Sequence, residues 1–331
     1  MDERDVDPVP RVPRVRREPS GANHTRSVAR NAARSSTRGL ARNSVSLAVT
    51  VGVLAVVCVA LAVWAVVPRA VSTEELWGAA RGPGEAAFVA AHRGDRSVAP
   101  ENTLPAVQAA IDGEFDYVEV DIALTSDGVA VLLHDETLDR TTTGSGPLAD
   151  HTFEQVRALD AGAWFDEAFA GTLVPTLDEF LAMLATSQKR ALIEMKGVWT
   201  PVATAAFADA LHAYGLDDRV AVASFDARTL ALIEEAAPRV PRMAILRVLP
   251  EDTVAAARAL GVRGIVASSK VISRAPHVIE ELHRAGMRVA VYTLNDDTKW
   301  QRALDIGVDG IITDKPAVLS QWLAESTAPP E

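Results

Sequence analysis

The chain has 331 residues, 48% of them hydrophobic, enough to bury one large core or two small ones. Its net charge of −11 conceals an asymmetry: residues 1–44 carry ten arginines and five acids, net +5, which leaves −16 for the remainder. An acidic main body repels phosphate backbones, which argues against a nucleic-acid partner, and the single cysteine, Cys58, rules out a disulfide framework.

Residues 1–44 are rich in Pro and Arg, lack lysine and show no hydrophobic periodicity, the composition of a disordered basic cytoplasmic tail. Residues 45–67 then form an uncharged run of 23, long enough to cross a bilayer as a helix. Trp64, near its far end, suits an interfacial position. A cleaved signal peptide is the alternative, but the 44-residue leader is long and no small-x-small site follows the run. Dense arginine before the span and little after it (Arg69, Arg81) predict a single-pass cell-membrane protein. The N-terminus would be cytoplasmic and everything after residue 67 extracytoplasmic. Residues 68–85 read as a tether.

From residue 86 to about 322, short β-type runs alternate with helical patterns. The strands are expected at 87–91, 117–124, 129–134, 191–196, 220–224, 243–246, 264–267, 288–293 and 310–313. Helices are expected at 104–112, 177–185, 201–214, 227–237, 251–260, 277–285 and 299–306, with a tail at 323–331. Alternation of this length predicts a parallel sheet with helices outside. The expected fold is a TIM (β/α)8 barrel, in which one strand of an early hairpin is an addition rather than a stave. An open doubly wound sheet would show a Gly-rich turn after its first strand, and His92-Arg93-Gly94 is not one. Residues 138–176 interrupt the alternation and read as a small insertion over the barrel mouth.

The hairpin lies in residues 117–135, YVEVDIALTSDGVAVLLHD. Ser126-Asp127-Gly128 is far too short for a parallel crossover and fits a tight turn. Folding about it brings His134 opposite Glu119 or Asp121, depending on register. Opposed residues of an antiparallel pair share a face, so an imidazole meets two carboxylates. A strand pair covered on both faces tolerates such carboxylates only when they are paired or metal-bound.

Polar residues at C-terminal strand ends are the catalytic candidates of such a barrel. Those ends supply His92-Arg93, then Glu119, Asp121 and His134, then Glu194 and Lys196, and finally Ser224, Asn295 and Asp314. Glu119, Asp121 and Glu194 are hard oxygen ligands suited to Ca²⁺ or Mg²⁺. His92 and His134 suit an acid–base pair, and Arg93 with Lys196 would clamp an anion such as a phosphodiester.

The segments AHRG, APENT, EVD, LLHD, IEMK and DGIITDKP, in this order over about residues 87–320, resemble the glycerophosphodiester phosphodiesterases. The resemblance implies a phosphodiesterase barrel with a small insertion and a divalent cation on Glu119, Asp121 and Glu194. It implies His92 and His134 as the acid–base pair, phosphate contacts from Arg93 and Lys196, and Glu101 in support of the substrate site. Asn102 and Thr103 are expected to cap the following helix, where Pro105 suits the first turn. Tyr292 departs from the tryptophan that the family commonly places there. His24, His151, His212, His277 and His283 match no motif and read as surface or helix residues.

The activity this implies is metal-dependent cleavage of a small-molecule glycerophosphodiester to glycerol 3-phosphate and an alcohol. The alternatives are lysophospholipase-D-like cleavage of membrane lysolipids, favoured by a nearby bilayer, and a non-catalytic receptor for polyol phosphates.

Overall fold

A computed structural model describes residues 70–326 and, apart from these, Val53. The expected basic tail and, save for Val53, the 45–67 span lie outside the described residues. Among those described, no helix is long and apolar enough to cross a membrane.

Eight parallel strands close into a barrel: β1 (Phe88–Ala91), β2 (Tyr117–Leu124), β4 (Arg190–Met195), β5 (Val220–Ser224), β6 (Arg242–Leu246), β7 (Gly264–Ser268), β8 (Arg288–Tyr292) and β9 (Gly310–Thr313). Each pairs with the next, and β9 and β2 both pair with β1 to complete the ring. The ninth strand, β3 (Ala130–Leu132), runs antiparallel to the end of β2 and is not a stave. That resolves the surplus strand as expected. The hairpin turns at Gly128, whose φ of 82° favours glycine.

Every second strand residue points inward. Phe88, Ala90, Tyr117, Leu192, Ala221, Ala223, Met243, Ile245, Val266, Ala290 and Ile312 fill the lower barrel as one cluster. Gly310 makes room for that packing, since a Cβ there would stand 2.0 Å from the Phe88 ring. The outward residues meet the helices. In the helix Leu177–Ala185, Leu177, Phe180, Leu181 and Leu184 form the buried stripe, and Thr176 with Glu179 closes a capping box. Loss of such a cap costs about 1 kcal/mol, and each large side chain buried here contributes about 1.5–3 kcal/mol.

The stretch expected as a tether is folded onto the barrel. Ser72 caps the helix Thr73–Trp77 through a capping box, which turns Leu76 and Trp77 inward. Both join the lower-barrel cluster. The Tyr117 hydroxyl donates to Leu76 O, and the Arg288 guanidinium donates to Gly78 O at 2.7 Å. Residues 71–78 thus plug the N-terminal end of the barrel.

The insertion is more than a loop. Leu138, Leu148, Val156, Ala161 and Val174 form a satellite core against Val131 and Leu133 of the hairpin. The insertion therefore rests on the flank of β3, at one side of the mouth.

Candidate active site

His92, Arg93, Glu101, Glu119, Asp121, His134, Glu194 and Lys196, the residues given roles in the sequence, converge at the C-terminal end of the barrel. Glu119 and Asp121 share the inner face of β2, and the β2–β4 register sets Asp121 beside Glu194. One carboxylate oxygen from each of the three lies within 4.8 Å of the others. Glu119 and Asp121 are 4% and 1% exposed. Burial, and then the charges of Asp121 and Glu194, hold Glu119 well above the usual carboxylate range. Burial, and then Asp121, push Glu194 up to about 7 against the pull of Lys196. Asp121 goes the other way: burial would raise it, but Lys196 and Arg93 outweigh burial and leave it lowered.

Two cations partly compensate. Lys196 Nζ lies 2.7 Å from Glu194 Oε1 and 3.2 Å from Asp121 Oδ1. Arg93 Nε lies 3.2 Å from Asp121 Oδ2. Arg93 Nε has no aligned hydrogen bond among the described residues, so its contact with Asp121 is chiefly one of charge. Three buried carboxylates against two cations are a mutually repelling set. A divalent cation among three hard oxygen donors fits that imbalance.

Arg93 owes its position to a left-handed turn. Its φ is 59°, unusual for a side-chain-bearing residue. The turn lets its N–H donate to Glu119 Oε2 at 2.8 Å while its Nη1 donates to Glu101 Oε1 at 2.6 Å. Gly94 follows at φ 77°, and a Cβ there would lie 2.6 Å from the Ala106 backbone. Glu101 is surrounded by arginines: Arg96 reaches its Oε2 at 2.6 Å and Arg140 its Oε1 at 2.7 Å, besides Arg93. Its oxygens are occupied in holding three guanidinium groups.

The two histidines are oriented alike. His92, after β1, has Nδ1 2.6 Å from Asp314 Oδ1, and Asn295 Nδ2 donates to Asp314 Oδ2 at 2.7 Å. His134 Nδ1 lies 2.5 Å from Asp135 Oδ1, and Arg140 Nε donates to Asp135 Oδ2 at 2.6 Å. An ionised carboxylate only accepts, so each Nδ1 carries hydrogen and each Nε2 is left to exchange protons. Burial lowers both imidazoles, opposed by their carboxylate partners. Burial would raise Asp314, but its bond to His92 and the charge there pull it down to about 2.

Two expectations need correction. The hairpin register pairs Ile122 with Leu132, and Leu133 N donates to Asp121 O at 3.1 Å. His134 is therefore not opposite Glu119 or Asp121. The ladder stops at Leu132, and His134 approaches the carboxylates from beyond its end, still within the field of Asp121. Nor does Asn102 cap a helix. At φ 54° it turns toward β2, donating to Asp121 Oδ2 at 2.9 Å and accepting from Asp121 N at 3.0 Å. Thr103 occupies the N-cap position, but its hydroxyl donates back to Pro100 O instead. Pro105 does stand in the first turn.

Sequence reasoning passed over Arg96, Arg140 and the orienting role of Asp135. The HD pair contained a signal for Asp135, because an acid beside a catalytic-type histidine is a ready Nδ1 acceptor. Arg140 had none, since it reaches Glu101 from 39 residues away in the insertion.

Comparison with known proteins decides the class. The model of the "Glycerophosphoryl diester phosphodiesterase family" matches residues 92–318. The chain belongs to that family. A glycerophosphodiester phosphodiesterase of Caldanaerobacter subterraneus subsp. tengcongensis is 34% identical over 235 residues, covering 70% of this chain and 96% of the relative. A solved glycerophosphodiester phosphodiesterase from Agrobacterium tumefaciens is 31% identical, with a TM-score of 0.63 over 71% of this chain and 100% of its own. A phosphodiesterase of Oleispira antarctica, solved with the product sn-glycerol-3-phosphate, is 25% identical with a TM-score of 0.68, over 72% and 96% of the two chains. This glycerophosphodiester phosphodiesterase is thus a phosphoric diester hydrolase with a small-molecule diester as substrate. The receptor reading has no support beside enzymatic relatives of this extent.

Proposed function

We propose that the enzyme cleaves glycerophosphodiesters to glycerol 3-phosphate and an alcohol by two-histidine acid–base catalysis that depends on a divalent cation, Ca²⁺ or Mg²⁺. The observation that carries this is the carboxylate triad within 4.8 Å, beside two imidazoles each tied at Nδ1 by its own carboxylate. Glu119, Asp121 and Glu194 would hold the cation, which when bound would neutralise phosphoryl charge and favour ionisation of the attacking hydroxyl.

Arg93 and Lys196 would bind the remaining phosphate oxygens by charge-assisted contacts. Glu101 would act indirectly, holding Arg93, Arg96 and Arg140 in place. The attacking oxygen forms a bond to phosphorus as one histidine Nε2 takes its proton. The P–O bond to the alcohol breaks, and the other histidine Nε2 gives that oxygen a proton. Asp314 and Asp135 keep both rings in the tautomer this needs. Attack by water gives glycerol 3-phosphate directly; attack by a neighbouring glycerol hydroxyl gives a cyclic phosphate, which a water molecule then opens, with the histidine roles reversed, to the same product.

The same proposal places the enzyme at the cell membrane. The uncharged 45–67 run would anchor it, and the arginine-rich leader would keep the N-terminus cytoplasmic. The chain enters the barrel at its plugged end, opposite the carboxylate cluster.

The test is glycerol 3-phosphate release from glycerophosphoethanolamine by the full chain with Ca²⁺, with Mg²⁺ and with excess chelator. Release is expected only with the metal. Equal release under chelation would overturn the metal's role.

A further inference from the structure

The proposed chemistry uses the half of the mouth built by β1, β2 and β4. The other half, at the ends of β5, β6 and β8, carries Phe225, Arg247 and Tyr292. Phe225 follows β5 and Arg247 follows β6. Tyr292 closes β8, two residues beyond the inward-facing Ala290, and packs on the interior cluster. The Arg247 guanidinium carbon lies 4.0 Å from the centroid of the Phe225 ring, a close cation–π stack. Among the described residues Arg247 has no carboxylate partner, so its charge is available to whatever enters. The Tyr292 hydroxyl lies within the fields of Glu194, Arg247 and Lys196, which joins this wall to the carboxylate cluster.

The side facing this wall is built by the hairpin end and the insertion. The insertion packs so closely on the hairpin end that only a crevice of ≈ 10 Å³ remains between His134, Thr141, Thr142, Ala161 and Val174. A substituent on a phosphate held by Arg93 and Lys196 cannot enter that crevice, whereas the ends of β5, β6 and β8 present the exposed Phe225 and Arg247.

We propose that the larger alcohol of the diester lies along Phe225, Arg247 and Tyr292, and that Arg247 selects for anionic or neutral polyhydroxyl headgroups against quaternary ammonium ones. This rests on the hydrolytic reading above. An open aromatic face attracts a quaternary ammonium, but the face of Phe225 already carries a cation. A choline group would have to displace Arg247 or sit beside a like charge. An anionic group gains a charge-assisted bond to the guanidinium instead, and a polyol finds donors in Arg247 and a hydroxyl in Tyr292.

The experiment measures kcat/KM of the full chain, metal-loaded, on three diesters: glycerophosphocholine, glycerophosphoglycerol, and a glycerophosphodiester whose alcohol bears a further phosphate. Wild type is compared with Arg247→Gln and Arg247→Glu, both at an exposed position where the fold tolerates change. Wild type should disfavour the choline diester by about five-fold or more. Arg247→Gln should flatten the preference and Arg247→Glu reverse it, chiefly through KM. Turnover of all three with ratios unmoved by either substitution would overturn the role of Arg247 alone. No turnover of any diester by wild type would overturn the hydrolytic reading, and this inference with it.

Discussion

The two ends of the barrel each bury carboxylates, and they treat them in opposite ways. At the plugged end Asp309 is fully buried, yet every partner it needs is in place. Its Oδ1 accepts from Arg81 N at 2.9 Å, and its Oδ2 accepts from Val289 N at 2.7 Å and from His283 Nε2 at 2.8 Å. At the mouth Glu119, Asp121 and Glu194 face one another with too few donors, and burial plus mutual repulsion displace two of them upward. One carboxylate with complete partners ties the plug, a helix and β8 together. Three with incomplete partners are costly to stability, and a cation held among them would offset that cost.

If that contrast is right, substitutions at the two ends should separate activity from stability. The largest effect is expected at the mouth: His92→Ala or His134→Ala should lower kcat by about 10²–10⁴-fold, with circular dichroism and melting temperature close to wild type. Near wild-type rates for both would remove the acid–base assignment. At the plugged end, Asp309→Ala should cost about 3–5 kcal/mol in denaturant unfolding, because it strands His283 and two backbone N–H groups in a buried site. Its kcat per folded molecule should be unchanged, and a selective loss of kcat would blur the division between the ends.

A smaller effect sharpens the comparison at Asp314. Its pKa is depressed to about 2, so it contributes stability that is present above the unfolded value and lost as pH falls through the folded one. Asp314→Asn should therefore cost about 1–2 kcal/mol near pH 6, discounted for its partial exposure, and little by pH 2. The bond to Asp314 also raises His92, so the same substitution should move the limb of kcat/KM that reports His92 to lower pH. A pH profile identical to wild type would show that His92 does not depend on that bond.

Much of the mouth was legible because its residues sit at strand ends, where alternation and the parallel order fix which way a side chain points. Glu119 and Asp121 two apart on one strand, and Glu194 on its neighbour, needed only the pattern. The supporting layer was not legible. Asn102 reads as a helix cap by type, and only the left-handed turn at φ 54° sends it to Asp121. The arginines around Glu101 come from the turn after β1 and from the insertion, a meeting no periodicity encodes. His283 read as a surface or helix residue. It does lie on the helix His277–Arg284, but its partner is the buried Asp309 on a strand approach 26 residues on. The plug was hidden for a similar reason: a five-residue helix is too short to show a period, and its burial depends on the open end of a barrel.

The central claim is that the crowded carboxylates are a cation site, and calorimetric titration of the chelated full chain with Ca²⁺ and Mg²⁺ tests it most directly. One ion per chain should bind, with a rise in unfolding free energy of about 2.7 kcal/mol at a hundred times Kd, and Glu119→Gln should remove both. Failure of either ion to bind, or binding that Glu119→Gln leaves intact, would contradict the account.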